Sequence, residues 1–170
     1  MKLKYRGWIL PGIVALILLA TTPAAIHRVI QTGNPYLFTS DFFEDMVARL
    51  SGPGRFRFIM QPIVAILLGV RDGAKDARAG ACPFLWGVIF RRDLRSQLVK
   101  SGLASVRNLV AVAILLDLVS QYLIFRVIHP GAAILLGPVL IALPYSLARA
   151  LSNRFVRRRR GIKPVPDAAA

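Results

Sequence analysis

Cysteine is almost absent: Cys82 is the only one in 170 residues, which excludes an intrachain disulfide framework and a cysteine-based zinc cluster. Histidine occurs twice, as His27 and His129. Zinc takes three or four protein ligands, so no metal and no cofactor is expected. Acidic residues are scarce too, with 8 Asp and Glu against 23 Lys and Arg. No Asn-x-Ser/Thr sequon is present, because Asn34, Asn108 and Asn153 all fail, so nothing supports a glycosylated surface protein. Charged residues make up 18% of the chain and apolar ones 55%. A disordered basic tail would lack that much Leu, Ile and Val. Soluble domains seldom carry long unbroken apolar runs. What remains is an all-α integral membrane protein.

Four apolar runs define the expected spans, at about 8–26, 56–71, 109–128 and 132–151. Together they form a single four-helix transmembrane domain over 1–156, followed by a basic tail over 157–170. The first run follows Lys2, Lys4 and Arg6 and carries Trp8 where an interfacial aromatic sits. A basic start before an apolar stretch is also the pattern of a cleaved signal peptide, with Thr22-Pro23-Ala24 as small residues for cleavage. Gly33-Asn34-Pro35 then marks a turn. A short amphipathic helix starts near Ser40 or Asp41, with Phe42, Phe43, Met46, Val47 and Leu50 on one face, and Ser51-Gly52-Pro53-Gly54 ends it.

The second run is the short one. Its apolar part, Phe58 to Val70, reaches only about 20 Å against a hydrocarbon core of about 30 Å. Arg55, Arg57 and Arg71 can lengthen it by snorkelling outward. Charge counting decides whether it crosses. If all four runs cross, the N-terminal side, the 71–107 loop and the C-terminal side hold 18 of the 23 basic residues, and the other side holds 5. Without the second crossing the split becomes 4 inside and 19 outside, against the rule that cytoplasmic loops are basic. The expected topology therefore has four spans with both termini in the cytoplasm, and a bacterial inner membrane is the expected location.

The third run contains Asp117. An acid at a helix centre costs about 2.5–3.5 kcal/mol on the insertion scale, and the apolar residues around it offset this by roughly 4–8 kcal/mol. Ser120 and Gln121 follow at i+3 and i+4, so the three share a face that turns to the bundle interior. Gln61 of the second run is the expected partner for Asp117. A structural role would be met by hydrogen bonding alone, so Asn would replace Asp117; a proton- or cation-carrying role would not tolerate Asn.

His129-Pro130-Gly131 turns the chain into the fourth run. Arg154, Arg157, Arg158, Arg159 and Arg160 follow that run and are expected to bind anionic lipid headgroups, at about 1 kcal/mol each. Nucleic acid is not an expected partner. In the 71–107 loop, Asp72-Gly73 and Ala77-Arg78, followed by Gly87, partly resemble the signature of CDP-alcohol phosphatidyltransferases. Gly69, Arg91 and Arg95 stand where that signature needs metal-binding aspartates, and guanidiniums cannot replace them. The loop is expected to be solvated and held by local ion pairs, with Pro83 to Phe90 at the interface and a surface helix through Leu94, Leu98 and Leu103.

No nucleophile–base pair or carboxylate pair stands out, so catalysis is not expected. The expected function is that of a small accessory or assembly component acting through lipid and protein contacts, with a membrane-protein partner or a second copy as its company. The alternative is a small oligomeric proton- or cation-linked transporter or channel using Asp117.

Overall fold

The computed structural model describes residues 3–33, 35–52 and 55–161. Asn34, Pro53, Gly54 and the tail beyond 161 lie outside the described residues, and with them parts of the two expected turns and most of the basic tail. Helix is the only regular secondary structure among the described residues, with α1 (Leu3–Thr32), α2 (Ser40–Ser51), α3 (Arg57–Arg78), α4 (Phe84–Phe90), α5 (Arg92–Phe125) and α6 (Pro130–Arg160). Three of these are long and apolar enough to cross a membrane: α1 over Gly7–Thr32, α5 and α6. The second expected span, α3, is not among them. It carries Arg57 at its start and Arg71, Asp72, Lys75, Asp76 and Arg78 in its last turns.

Several boundaries move from their expected places, each for a local reason. The N-cap of α2 is Thr39, one residue ahead of the expected cap, and its hydroxyl accepts from the Phe42 N–H. The third helix does not begin at Leu109. The expected surface helix and the third run are one helix, α5, with no break between them. That helix stops at Phe125, three residues early, because Arg126 takes a left-handed φ of 56° and donates its N–H back to the Tyr122 carbonyl. Pro130 opens α6, where its fixed φ and missing N–H are tolerated.

The chain falls into two compact units, Met1–Gln61 with Arg107–Leu140 and Pro62–Val106 with Ile141–Ala170. In the first, Val14 of α1 packs with Ala111, Ile114 and Leu118 of α5 and Ala133 of α6. Val14 is the only buried side chain of α1 among those described, so α1 turns Ile9, Ile13, Leu16, Leu19 and Ile26 outward. At one end the Arg107 guanidinium lies 4.9 Å above the Trp8 ring.

In the second unit, α3 and α6 meet backbone to backbone. A Cβ on Gly69 would lie 2.5 Å from the Tyr145 carbonyl oxygen, and one on Gly73 would lie 2.1 Å from that of Arg149. Gly69 and Gly73 are four residues apart, the small-xxx-small spacing that lets apolar helices approach closely. Short α4 closes this unit with Phe84 buried against Tyr145, and Arg95 caps its last carbonyls, Val88 and Ile89. The expected solvated loop is therefore largely helical, since 71–78 continue α3 and only 79–83 and Arg91 stand outside a helix.

The close approach yields a test. Gly73→Ala puts a methyl group into the Arg149 backbone and is expected to destabilise the protein by about 1–3 kcal/mol, read from thermal unfolding in detergent. Gly12→Ala, where a Cβ meets nothing within 4 Å, is expected to be neutral or slightly stabilising.

Candidate functional site

The first unit is organised around Asp117. This side chain is 1% exposed and both of its oxygens are engaged. Oδ1 accepts from Arg57 Nη2, and Oδ2 accepts from Gln121 Nε2 at 2.6 Å, with Arg49 Nη1 4.0 Å away. Arg57, expected to snorkel outward, is instead 6% exposed and turned inward, where its guanidinium also lies over the Phe58 ring. The reason is electrostatic: a buried carboxylate needs a compensating charge, and the first residue of α3 supplies it.

The network continues outward from Arg49. Its Nη2 donates to the Tyr36 hydroxyl at 3.1 Å, and that hydroxyl donates to Asp45 Oδ2 at 2.6 Å. Asp45, Arg49, Asp117 and Arg57 thus alternate in sign, and the chain of four is neutral in sum. Burial, followed by the hydrogen bond to Asp45, pushes the Tyr36 phenol far above its ordinary range. The Tyr36 ring stacks on His129 with centroids 3.6 Å apart and planes 10° apart. Burial of His129, with Arg28 nearby, pulls its imidazole below the ordinary value, which favours the neutral ring in the stack.

The four polar residues of the expected face have different fates. Asp117 and Gln121 form the core of the network. Gln121 is fully buried and bridges two elements, since its Oε1 accepts the His129 backbone N–H at 2.6 Å. Ser120 is buried but donates to the Leu116 carbonyl of its own helix, so it takes no part. Gln61 is buried and its side-chain amide has no hydrogen-bond partner among the described residues; it is not the partner of Asp117. That partner is Arg57. His27 is exposed on α1, whereas His129 is taken up by the stack. Among the described residues no three His, Cys, Asp or Glu side chains converge as metal ligands do.

A second polar cluster, which sequence reasoning missed, lies in the second unit. Arg149 of α6 grips Asp76 of α3 with Nε at 2.6 Å and Nη2 at 3.1 Å, a bidentate fork. Its Nη2 also reaches Ser101 Oγ at 3.2 Å, and its Nη1 donates to the Tyr145 hydroxyl at 3.0 Å. That hydroxyl donates in turn to Asp72 Oδ2. The Phe84 ring covers the guanidinium at 4.5 Å. Asp72 and Asp76 thus find partners 73 residues away, while the expected local pairs also form, Arg71 with Asp72 at 3.7 Å and Arg91 with Asp93 at 3.3 Å. The one available signal was the Gly69–Gly73 spacing, which marks the face of α3 that meets another helix.

The arginines after the fourth run divide by exposure. Arg154, Arg158, Arg159 and Arg160 are exposed, and Arg159 lies over the Phe155 ring, whereas Arg157 is buried. The chain matches no family model, no curated protein and no solved structure.

Proposed function

We propose that the chain is a four-span protein of a bacterial inner membrane, with both termini in the cytoplasm, that serves as an accessory or assembly component through lipid and protein contacts. The observation that carries this reading is the occupied carboxylate of Asp117. An acid that carries protons or cations must exchange them with water, yet both oxygens of this one are bonded to Arg57 and Gln121 in a buried position. Such an arrangement suits a strut between helices. Catalysis, cofactors and nucleic acid have no part in the proposal.

The crossing of α3 is supported by the direction of its faces. Its apolar part is about 20 Å long, and the charged turns from Arg71 carry the helix on past it. Its exposed side chains include Ile59, Ile63, Ile66, Leu67 and Val70, while Arg57, Gln61 and Asp72 are buried. Polar inside and apolar outside is the reverse of a soluble helix and suits lipid. The basic asymmetry of 18 to 5 supports the orientation. The outward apolar face of α1 suits a partner helix, from another membrane protein or a second copy.

Two measurements check the reading. In a Cys82→Ser background, Ser40→Cys is expected to react with an impermeant maleimide on sealed cells, and Ser96→Cys only after lysis; equal labelling of both would overturn the topology. In proteoliposomes under a pH gradient, the wild type is expected to carry no proton flux above protein-free vesicles. Flux that Asp117→Asn abolishes at unchanged thermal stability would establish the transporter instead.

A further inference from the structure

The second unit holds a cavity of about 1340 Å³ between α3, the Cys82–Trp86 segment and α6. It exceeds the roughly 300–1,000 Å³ of clefts that take drug-sized ligands. Its walls change character along α6. Leu147, Leu151, Arg154 and Arg158 recur at i, i+4, i+7 and i+11, so they form one stripe of that helix. The stripe is apolar for its first half and basic for its second, and spans about 17 Å at 1.5 Å per residue. Ile66 and Val70 of α3 continue the apolar half, and both are exposed. At the other end Arg91, Arg154, Arg157 and Arg158 all line the cavity.

We infer that this groove is a binding site for one anionic phospholipid, its acyl chain lying along Ile66, Val70, Leu147 and Leu151 and its phosphate at Arg154 and Arg158. Charge complementarity identifies the occupant. A neutral lipid would leave the basic end unmatched, and a soluble anion would leave the apolar half wet. Only an amphiphile with a negative head follows the stripe along its whole length. The inference rests on the membrane reading above and sharpens it, because general attraction to an anionic surface would use all the terminal arginines alike. The groove instead selects among them: Arg154 and Arg158 line it, and Arg159 and Arg160 do not.

Trp86 lines the groove and is 40% exposed, which makes it a reporter of an acyl chain. The Trp8→Phe variant leaves it as the sole tryptophan. This protein is reconstituted into phosphatidylcholine vesicles doped with acyl-brominated phosphatidylglycerol or acyl-brominated phosphatidylcholine, and Trp86 quenching is followed against mole fraction. Quenching by the anionic lipid is expected at about thirtyfold lower mole fraction, the size two arginines give near an anionic head. Free glycerol phosphate is expected not to compete, which separates a lipid from a soluble phosphate. Arg154→Gln with Arg158→Gln is expected to abolish the preference, and Arg159→Gln with Arg160→Gln, which removes the same charge, to preserve it. Equal quenching by both lipids, equal loss in both double variants, or competition by glycerol phosphate would overturn the site. Co-flotation with pure phosphatidylcholine vesicles after a high-salt wash reports membrane integration separately, so failure of the membrane reading is distinguishable from failure of the groove.

Discussion

A buried carboxylate between guanidiniums constrains the first unit more than any apolar contact in it. Apolar packing of Val14, Ile114 and Leu118 is non-directional and tolerates a slide of one helix along another. The bonds at Asp117 do not. They fix the start of α3 against α5 through Arg57, and through Gln121 they fix the turn that leads into α6. Arg49 and Tyr36 then tie α2 and the segment before it to the same point. Removing one member of a buried ion pair leaves a charge unmatched and typically costs about 3–5 kcal/mol. The alternation Asp45, Arg49, Asp117, Arg57 leaves no net charge across the four, of which Arg49, Asp117 and Arg57 are buried and Asp45 is half-buried.

The second unit applies the same chemistry with different residues. A tyrosine hydroxyl again donates to one aspartate and accepts from an arginine that holds another, here Tyr145, Asp72, Arg149 and Asp76. The cluster depends on closeness. Arg149 reaches Asp76 because Gly69 and Gly73 let the α3 backbone rest on that of α6, and a larger residue at either position would push the fork apart. The polar network and the small-residue contact are therefore one device, in which each makes the other geometrically possible.

Much of the fold was legible in the sequence because hydrophobic runs report directly on helices. The α5–α6 hairpin follows from two such runs and the His129-Pro130-Gly131 turn, and the inward face of Asp117 and Gln121 follows from their i, i+4 spacing. What was hidden depended on pairings distant in sequence. Arg57 reads from sequence as a membrane-flanking cation because nothing local reveals a carboxylate 60 residues on. The length of α3 was hidden for a related reason: Asp72 and Asp76 end the apolar run at Arg71, yet they prolong the helix by pairing with α6. The division among the terminal arginines also depends on the turn of α6, since adjacent residues in a run of arginines face different ways.

Arg57 and Asp117 act as one structural unit, a coupling that a double-mutant cycle measures. Arg57→Gln, Asp117→Asn and the double variant are unfolded thermally in the same detergent beside the wild type. Asn keeps the size of Asp117 but turns one of its two accepting oxygens into a donor, so the cycle and not the single variant isolates the Arg57–Asp117 pair. Each single change is expected to be destabilising by about 3–5 kcal/mol, so that Asn does not replace Asp117, and the double variant to be more stable than the sum of the two losses implies, by at least about 1.5 kcal/mol. Losses that add to within about 0.5 kcal/mol, or an Asp117→Asn variant as stable as the wild type, would contradict it.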